Sequence, residues 1–191
     1  GSRGLSEYFT SNANRTLPLP KFDRKEIILM SQPLGTVIWA FRKLGNLIDL
    51  DTVVMGQGPM GLLITHLLSN FGAKTIVAID KLDYRLEASK KMHATHTINV
   101  DKENPVAVVR EMTNGKMADL VFEVVGHQTE TVNQCLALVK RNGTILTFGV
   151  PDHDIYPFQF RTMFSKNVTL ICSVGPEVQR DFPLAVDMIA Q

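Results

Sequence analysis

The chain has 191 residues, 45% apolar and 20% charged, the proportions of one globular domain, or of one plus a remnant of another. Its 20 lysines and arginines balance 19 acids without forming a block of either sign, which excludes the basic face of a nucleic-acid or anionic-membrane binder. No apolar run approaches the roughly 20 residues of a bilayer span, and Cys135 and Cys172 are too few for a disulfide framework or a thiolate zinc site. The expectation is a soluble, reduced, cytoplasmic protein.

Gly1–Ser2 reads as an expression scar. Residues 3–22 carry Pro18, Pro20 and no sustained periodicity; they read as an extended segment, with a short strand at Leu5–Phe9. From Asp23 the chain becomes regular. Pro33 opens a helix at its first turn, Leu34, Val37, Ile38, Phe41 and Leu44 recur at helical spacing, and Gly45 ends it. Thr52–Met55 is a strand, and Met60–Phe71 a helix with Met60, Leu63, Ile64, Leu67, Leu68 and Phe71 on one face. Thr75–Ile79 is the next strand, Leu82–Met92 a charged helix and Thr97–Val100 a short strand. Asn104–Pro105 is a cap followed by a first-turn proline, opening a helix that ends at Asn114–Gly115. Leu120–Val125 is a strand, Thr129–Val139 a helix and Thr144–Phe148 a strand. An irregular stretch with Pro151 and Pro157 leads to a sixth strand at Val168–Ser173, and Phe182, Ala185, Val186 and Ile189 mark a last helix. The strands are near-continuous apolar runs, as strands covered on both faces are. The fold class is α/β: a doubly wound, Rossmann-type parallel sheet of six strands with helices on both faces.

Gly56–Gln57–Gly58–Pro59–Met60–Gly61 fits G-x-G-x-x-G where a strand passes into an amphipathic helix, and Asp80 follows 19 residues after Gly61 at the end of the next strand. In that context each part has a task. Gly56 allows the tight turn, Gly58 admits a pyrophosphate to the backbone, and Gly61 lets helix and strand approach closely. The helix N-terminus attracts the phosphate charge, and Asp80 accepts from ribose hydroxyls. The alternative is a glycine turn that merely packs a helix, with Asp80 capping the helix near Leu82. A 2′-phosphate at 4 Å from Asp80 costs on the order of 4 kcal/mol per charge pair at an effective dielectric near 20, so NAD is expected over NADP. Lys81 and Arg85 offset part of that cost.

These residues resemble the medium-chain dehydrogenases/reductases, the zinc alcohol and polyol dehydrogenase group. VVMGQGPMG at Val53–Gly61 is similar to the group's coenzyme loop, and so are the segments Ile79–Asn99 and Gly143–Pro151. GLSEYF followed by TLPLP resembles the end of the group's catalytic domain, and SQPLGTVIWA the element leading into its coenzyme domain. The resemblance places Gly58, Pro59 and Met60 at a pyrophosphate, Asp80 at the adenosine ribose and Arg85 near the adenine. It places Val125 on the adenosine side, at the end of the fourth strand, and Gly149 and Val150 near the nicotinamide, at the end of the fifth. It implies a larger enzyme whose GroES-like domain holds a catalytic zinc. On that reading residues 1–22 are scar plus the tail of that domain, and 23–191 are the NAD-binding domain, cut short at its C-terminal end. It also implies a homodimer through the strand at 168–173, an apolar edge open to pairing. Two positions depart from the group. Gln32 stands where polyol dehydrogenases often carry a Glu able to reach the zinc, and an amide is a poor ligand. His93 replaces a glycine after the charged helix Leu82–Met92 and implies a strained or rebuilt turn.

The remaining histidines and cysteines read as structural. His66 falls on the helix face away from the apolar stripe, His93 and His96 flank a turn, and His127 reads as capping the next helix. His153 lies between Asp152 and Asp154 in a solvated loop, and Cys172 reads as a small core residue. No catalytic or metal-binding residue is assigned within the chain. Three functions stay open: the coenzyme domain of an NAD-dependent alcohol or polyol dehydrogenase, a zinc-free enone or quinone reductase of the same family, and a non-catalytic nucleotide-binding module.

Overall fold

The computed structural model describes residues 7–8, 10–19, 21, 23 and 25–190, with Arg15 and Lys25 as backbone only. Of the strand expected at Leu5–Phe9, Glu7 and Tyr8 form a bend; the rest, like Gly1–Ser2, lies outside the described residues. The chain forms two compact units. One runs over Ala40–Val174, and the other joins the residues up to Trp39 with those from Gly175 onward.

The larger unit is built on six strands: β1 Asp51–Met55, β2 Thr75–Asp80, β3 His96–Asn99, β4 Ala118–Glu123, β5 Val139–Thr147 and β6 Thr169–Cys172. They form one sheet in the order β3-β2-β1-β4-β5-β6, and every pairing is parallel. The sequence runs outward from β1 to β3, then returns to β4 on the other side of β1. The carboxyl ends of β1 and β4 therefore flank the point where the winding reverses, the place where open α/β sheets bind ligands. Val53, Val54, Val121, Phe122, Ile145 and Leu146 in the three central strands have no solvent exposure, which is why these runs lack alternation. Phe41 covers Phe122 with ring centroids 5.6 Å apart.

Helix α2 Ser31–Phe41 follows the short α1 Lys25–Ile28 and begins two residues before Pro33. A proline in the first turn lacks only an N–H that has no intrahelical acceptor there. Helix α3 Pro59–Asn70 buries Gly61, Ile64, Thr65, Leu67 and Leu68, whereas Phe71 is 48% exposed. The buried stripe is thus rotated from the expected one, because Gly61 is drawn against the loop that precedes it. Helix α4 Asp83–Lys91 ends with His93 at φ +68, its N–H donating to Lys90 O and that of Ala94 to Ser89 O. That is the six-to-one and five-to-two pattern usually closed by glycine. The turn is kept, and the His93 ring stacks on His66 at 5.9 Å.

Asn104 caps α5 Pro105–Met112, its Oδ1 accepting from the N–H groups of Val106 and Ala107. Helix α6 Thr131–Leu138 stops earlier than expected. Val139 already pairs with Ala118 in β5, and a register break follows before Thr144 pairs with Leu120. A helix absent from the sequence reading, α7 Phe160–Lys166, fills part of the irregular stretch; none of its residues is buried, so no apolar stripe announced it. Helix α8 Val178–Ala190 belongs to the smaller unit and contains Pro183.

The edge strand β6 is mostly exposed, and Cys172 is an exposed free thiol rather than a core residue. Its run is apolar, but with one neighbour strand and few covering residues it stays open. The buried cysteine is Cys135. No helix among the described residues is long and apolar enough to cross a membrane.

Candidate functional site

Strand β1 delivers the chain into Gly56 at φ +97, a conformation strained for any other residue type. Gly58 is the N-cap of α3 and makes no side-chain capping bond, and Pro59 follows in the first turn. A β-carbon on Gly58 would meet nothing within 4 Å, whereas one on Gly61 would overlap the Gly56 carbonyl oxygen. Close approach of helix to strand is therefore required at Gly61, and open space is kept at Gly58. Gln57 is fully buried: its Nε2 donates to Val54 O at 3.1 Å, and its Oε1 accepts from Thr65 Oγ1 at 3.1 Å. An unspecified position of the motif thus fastens the turn to α3.

Asp80 ends β2 and is 8% exposed. Its Oδ2 accepts from the Gln57 N–H at 2.8 Å and from Arg85 Nη1 at 3.4 Å. Its Oδ1 accepts from the N–H groups of Lys81 at 2.8 Å and Leu82 at 3.0 Å. One carboxylate therefore ties the glycine turn to the end of β2 and holds the two main-chain N–H groups that lead into α4. Of the four donors Arg85 is the longest, and its side chain is 37% exposed. The Arg85 guanidinium is held above its ordinary range first by its hydrogen bond to Tyr84, with the charge of Asp80 adding to it against burial.

Asp80 and Arg85 line a cleft of about 630 Å³ with Gly56, Gly58, Val125 and Val106. Val125 stands two residues beyond the end of β4, not at it. Its N–H and that of Gly126 donate to Glu123 Oε1, at 3.0 and 3.1 Å. Glu123, 3% exposed, is the acid that sequence reasoning passed over. A carboxylate closing the apolar run Leu120–Phe122 was the available signal. It organises the turn after β4 much as Asp80 organises the turn after β1. Burial, with the charge of Glu123 adding to it, pushes the Cys135 thiol well up.

Gly149 and Val150 likewise lie beyond β5, which ends at Thr147. They line a second, mostly apolar cleft of about 660 Å³ together with Glu123, His127, Phe148 and Cys172. The Gly149 N–H donates to Glu123 O at 3.1 Å. Met60 and Pro59 lie in the first turn of α3, and Gly61 at its contact with Gly56. The candidate residues thus fall into two groups at the carboxyl ends of neighbouring strands. His127 does not cap a helix: its Nδ1 lies 2.6 Å from Asp152 Oδ1. The Gln32 amide donates to Thr36 Oγ1 on its own helix at 3.2 Å. Among the described residues no three His, Cys, Asp or Glu stand together as a metal site.

A parallel sheet in this order, with a glycine turn and an acid meeting beside its switch point, is the Rossmann dinucleotide-binding class. The chain belongs to the zinc-binding dehydrogenase family, whose model matches residues 59–191. It is 38% identical over 151 residues to the L-threonine 3-dehydrogenase of Bacillus subtilis (strain 168), an alignment covering 79% of this chain and 43% of that protein. It is 36% identical over 104 residues to the sorbitol dehydrogenase of the same organism, covering 54% of this chain and 29% of that one. The solved alcohol dehydrogenase TADH from Thermus sp. ATN1 superposes with a TM-score of 0.79 at 30% identity, covering 90% of this chain and 49% of that one. The chain thus spans about half or less of the length of these relatives.

Proposed function

We propose that this chain is the coenzyme-binding part of an NAD(H)-dependent alcohol or polyol dehydrogenase. The observation that carries the reading is the meeting of Gln57 N–H and Asp80 Oδ2, which puts a glycine turn and an acid into one cleft at the switch point. The site fits the coenzyme. Gly58 keeps open the space that a pyrophosphate needs against the backbone, and the first turn of α3 has no side-chain acceptor. Arg85, the longest of the Asp80 contacts, is the one that ribose hydroxyls would replace or share.

On this reading Gly58, Pro59 and Met60 hold the pyrophosphate, and Arg85 and Val125 flank the adenosine. Gly149 and Val150 orient the nicotinamide in the second cleft, whose lining is mostly apolar. When bound, the nicotinamide supplies the hydride donor and acceptor at C4. The likeness to threonine and sorbitol dehydrogenases supports an alcohol or polyol as the hydride partner of the whole enzyme. We assign the zinc and substrate pocket to the whole enzyme's GroES-like catalytic domain, with residues 1–22 as expression scar plus the tail of that domain and 23–191 as the NAD-binding domain. Asp80 weighs against the NADPH-linked enone or quinone reductases, because its charge opposes a 2′-phosphate.

The open edge β6 supports a homodimer through residues 168–173, and the family resemblance points the same way. Sedimentation should give a dimer, and a monomer at high micromolar concentration would remove that proposal. The cytoplasm is the compartment we assign, since both cysteines are free. Calorimetric titration tests the coenzyme assignment: NADH should bind one per chain and more tightly than NADPH, and equal affinities would overturn NAD specificity.

A further inference from the structure

His127 follows Gly126 in the turn after β4, and both residues have positive φ, +54 and +62. A left-handed glycine is unremarked; a left-handed histidine is held there by its surroundings. Two bonds do so, and both reach the segment after β5. The His127 N–H donates to Val150 O at 2.9 Å, and the ring Nδ1 lies 2.6 Å from Asp152 Oδ1. A carboxylate only accepts, so Nδ1 carries the proton. The far side of the segment is also tied, the Asp152 N–H donating to the Tyr156 hydroxyl at 2.7 Å.

We infer that His127 and Asp152 form a clasp that positions the segment Gly149–Asp152 against the nicotinamide half of the coenzyme. This inference rests on the coenzyme reading above. His127, Gly149, Val150 and Tyr156 line the same cleft, whereas Asp80 and Arg85 line the other. The clasp therefore acts on one half of a dinucleotide and leaves the adenosine half alone. At 66% and 45% exposure the paired side chains contribute little to global stability. Their effect is local: beside the His127 main-chain N–H on Val150 O, they tie the far end of the segment at Asp152, and Val150 between them is 60% exposed.

The test uses three variants and two ligands. His127→Gly keeps the left-handed backbone and removes the ring, Asp152→Ala removes the acceptor, and Asp152→Asn keeps it. Titrated with NADH, the first two should bind about 3- to 10-fold more weakly, the value of one lost hydrogen bond. They should also lose part of the fluorescence gain of the immobilised dihydronicotinamide. Asp152→Asn should stay within about twofold of the parent. Titrated with AMP, all three should match the parent, and their thermal midpoints should change little.

Two results would overturn the clasp while leaving the coenzyme reading in place. One is unchanged NADH affinity and fluorescence in His127→Gly and Asp152→Ala. The other is an equal loss for NADH and AMP, which marks a merely structural pair. A parent chain that binds neither ligand removes the coenzyme reading, and the clasp with it.

Discussion

The Asp80 carboxylate accepts the Gln57 main-chain N–H at 2.8 Å, joining the end of β2 to the turn that leaves β1. The same group receives the N–H of Lys81 and of Leu82. The acid thus shapes the glycine turn, and its oxygens are oriented by three main-chain donors.

Replacing Asp80 with Ser should therefore act twice. NADH affinity should fall and that for NADPH rise, since the charge facing a 2′-phosphate is gone. The fold should also lose about 1–3 kcal/mol, because buried N–H groups are left with a poorer acceptor. Calorimetry of both coenzymes and a thermal melt check the pair of effects.

Gly58 and Gly61 should respond oppositely to alanine. Gly61→Ala forces a β-carbon onto the Gly56 carbonyl and should cost about 1–3 kcal/mol, or roughly 2–12 °C in Tm. Gly58→Ala meets no neighbour at a φ of −70°, so the melt should hardly move while NADH binding weakens. A shared thermal effect with no change in NADH binding by Gly58→Ala would separate the turn from the coenzyme.

The two cysteines should differ sharply towards iodoacetamide at neutral pH. Cys172 is exposed, whereas Cys135 is buried and its thiol is pushed well up. Since the thiolate is the nucleophile, mass spectrometry of the native chain, diluted until the pairing proposed through residues 168–173 is dissociated, should show one adduct, at Cys172, and two after denaturation.

Asp83 is held below the usual carboxylate range, first by the hydrogen bond from Lys102 Nζ and then by that from Asn99. Because its folded pKa is the lower one, the associated stabilisation is complete at neutral pH and is lost as pH falls through the folded value. Lys102→Met should lower Tm slightly at pH 7, and the difference should vanish in acid. A difference that persists unchanged in acid would assign the effect to packing.

All six strands, the glycine turn and Asp80 were legible in the sequence, because the inner strands, buried on both faces, read as apolar runs, the exposed edge β6 carries the same apolar letters, and the glycine motif has fixed spacing. The exact faces were not. Long-range contacts decided them: Gly61 against Gly56 rotates the buried stripe of α3, and the β4–β5 register break takes Val139 from the helix. Cys172 was misread because an edge strand and a central strand carry the same apolar letters. Glu123 had only its place at the end of an apolar run to mark it, and the His127–Asp152 pair had no mark at all. The first is a common acid whose partners are main-chain N–H groups, and the second joins residues 25 apart on separate loops.

The most direct measurement is a crystal structure of the chain saturated with NADH. The account predicts the adenosine ribose at Asp80, the pyrophosphate over Gly58–Met60 and the nicotinamide beside Gly149 and Val150. A coenzyme bound elsewhere, or a cleft at Asp80 that stays free of it at saturating NADH, would contradict the account.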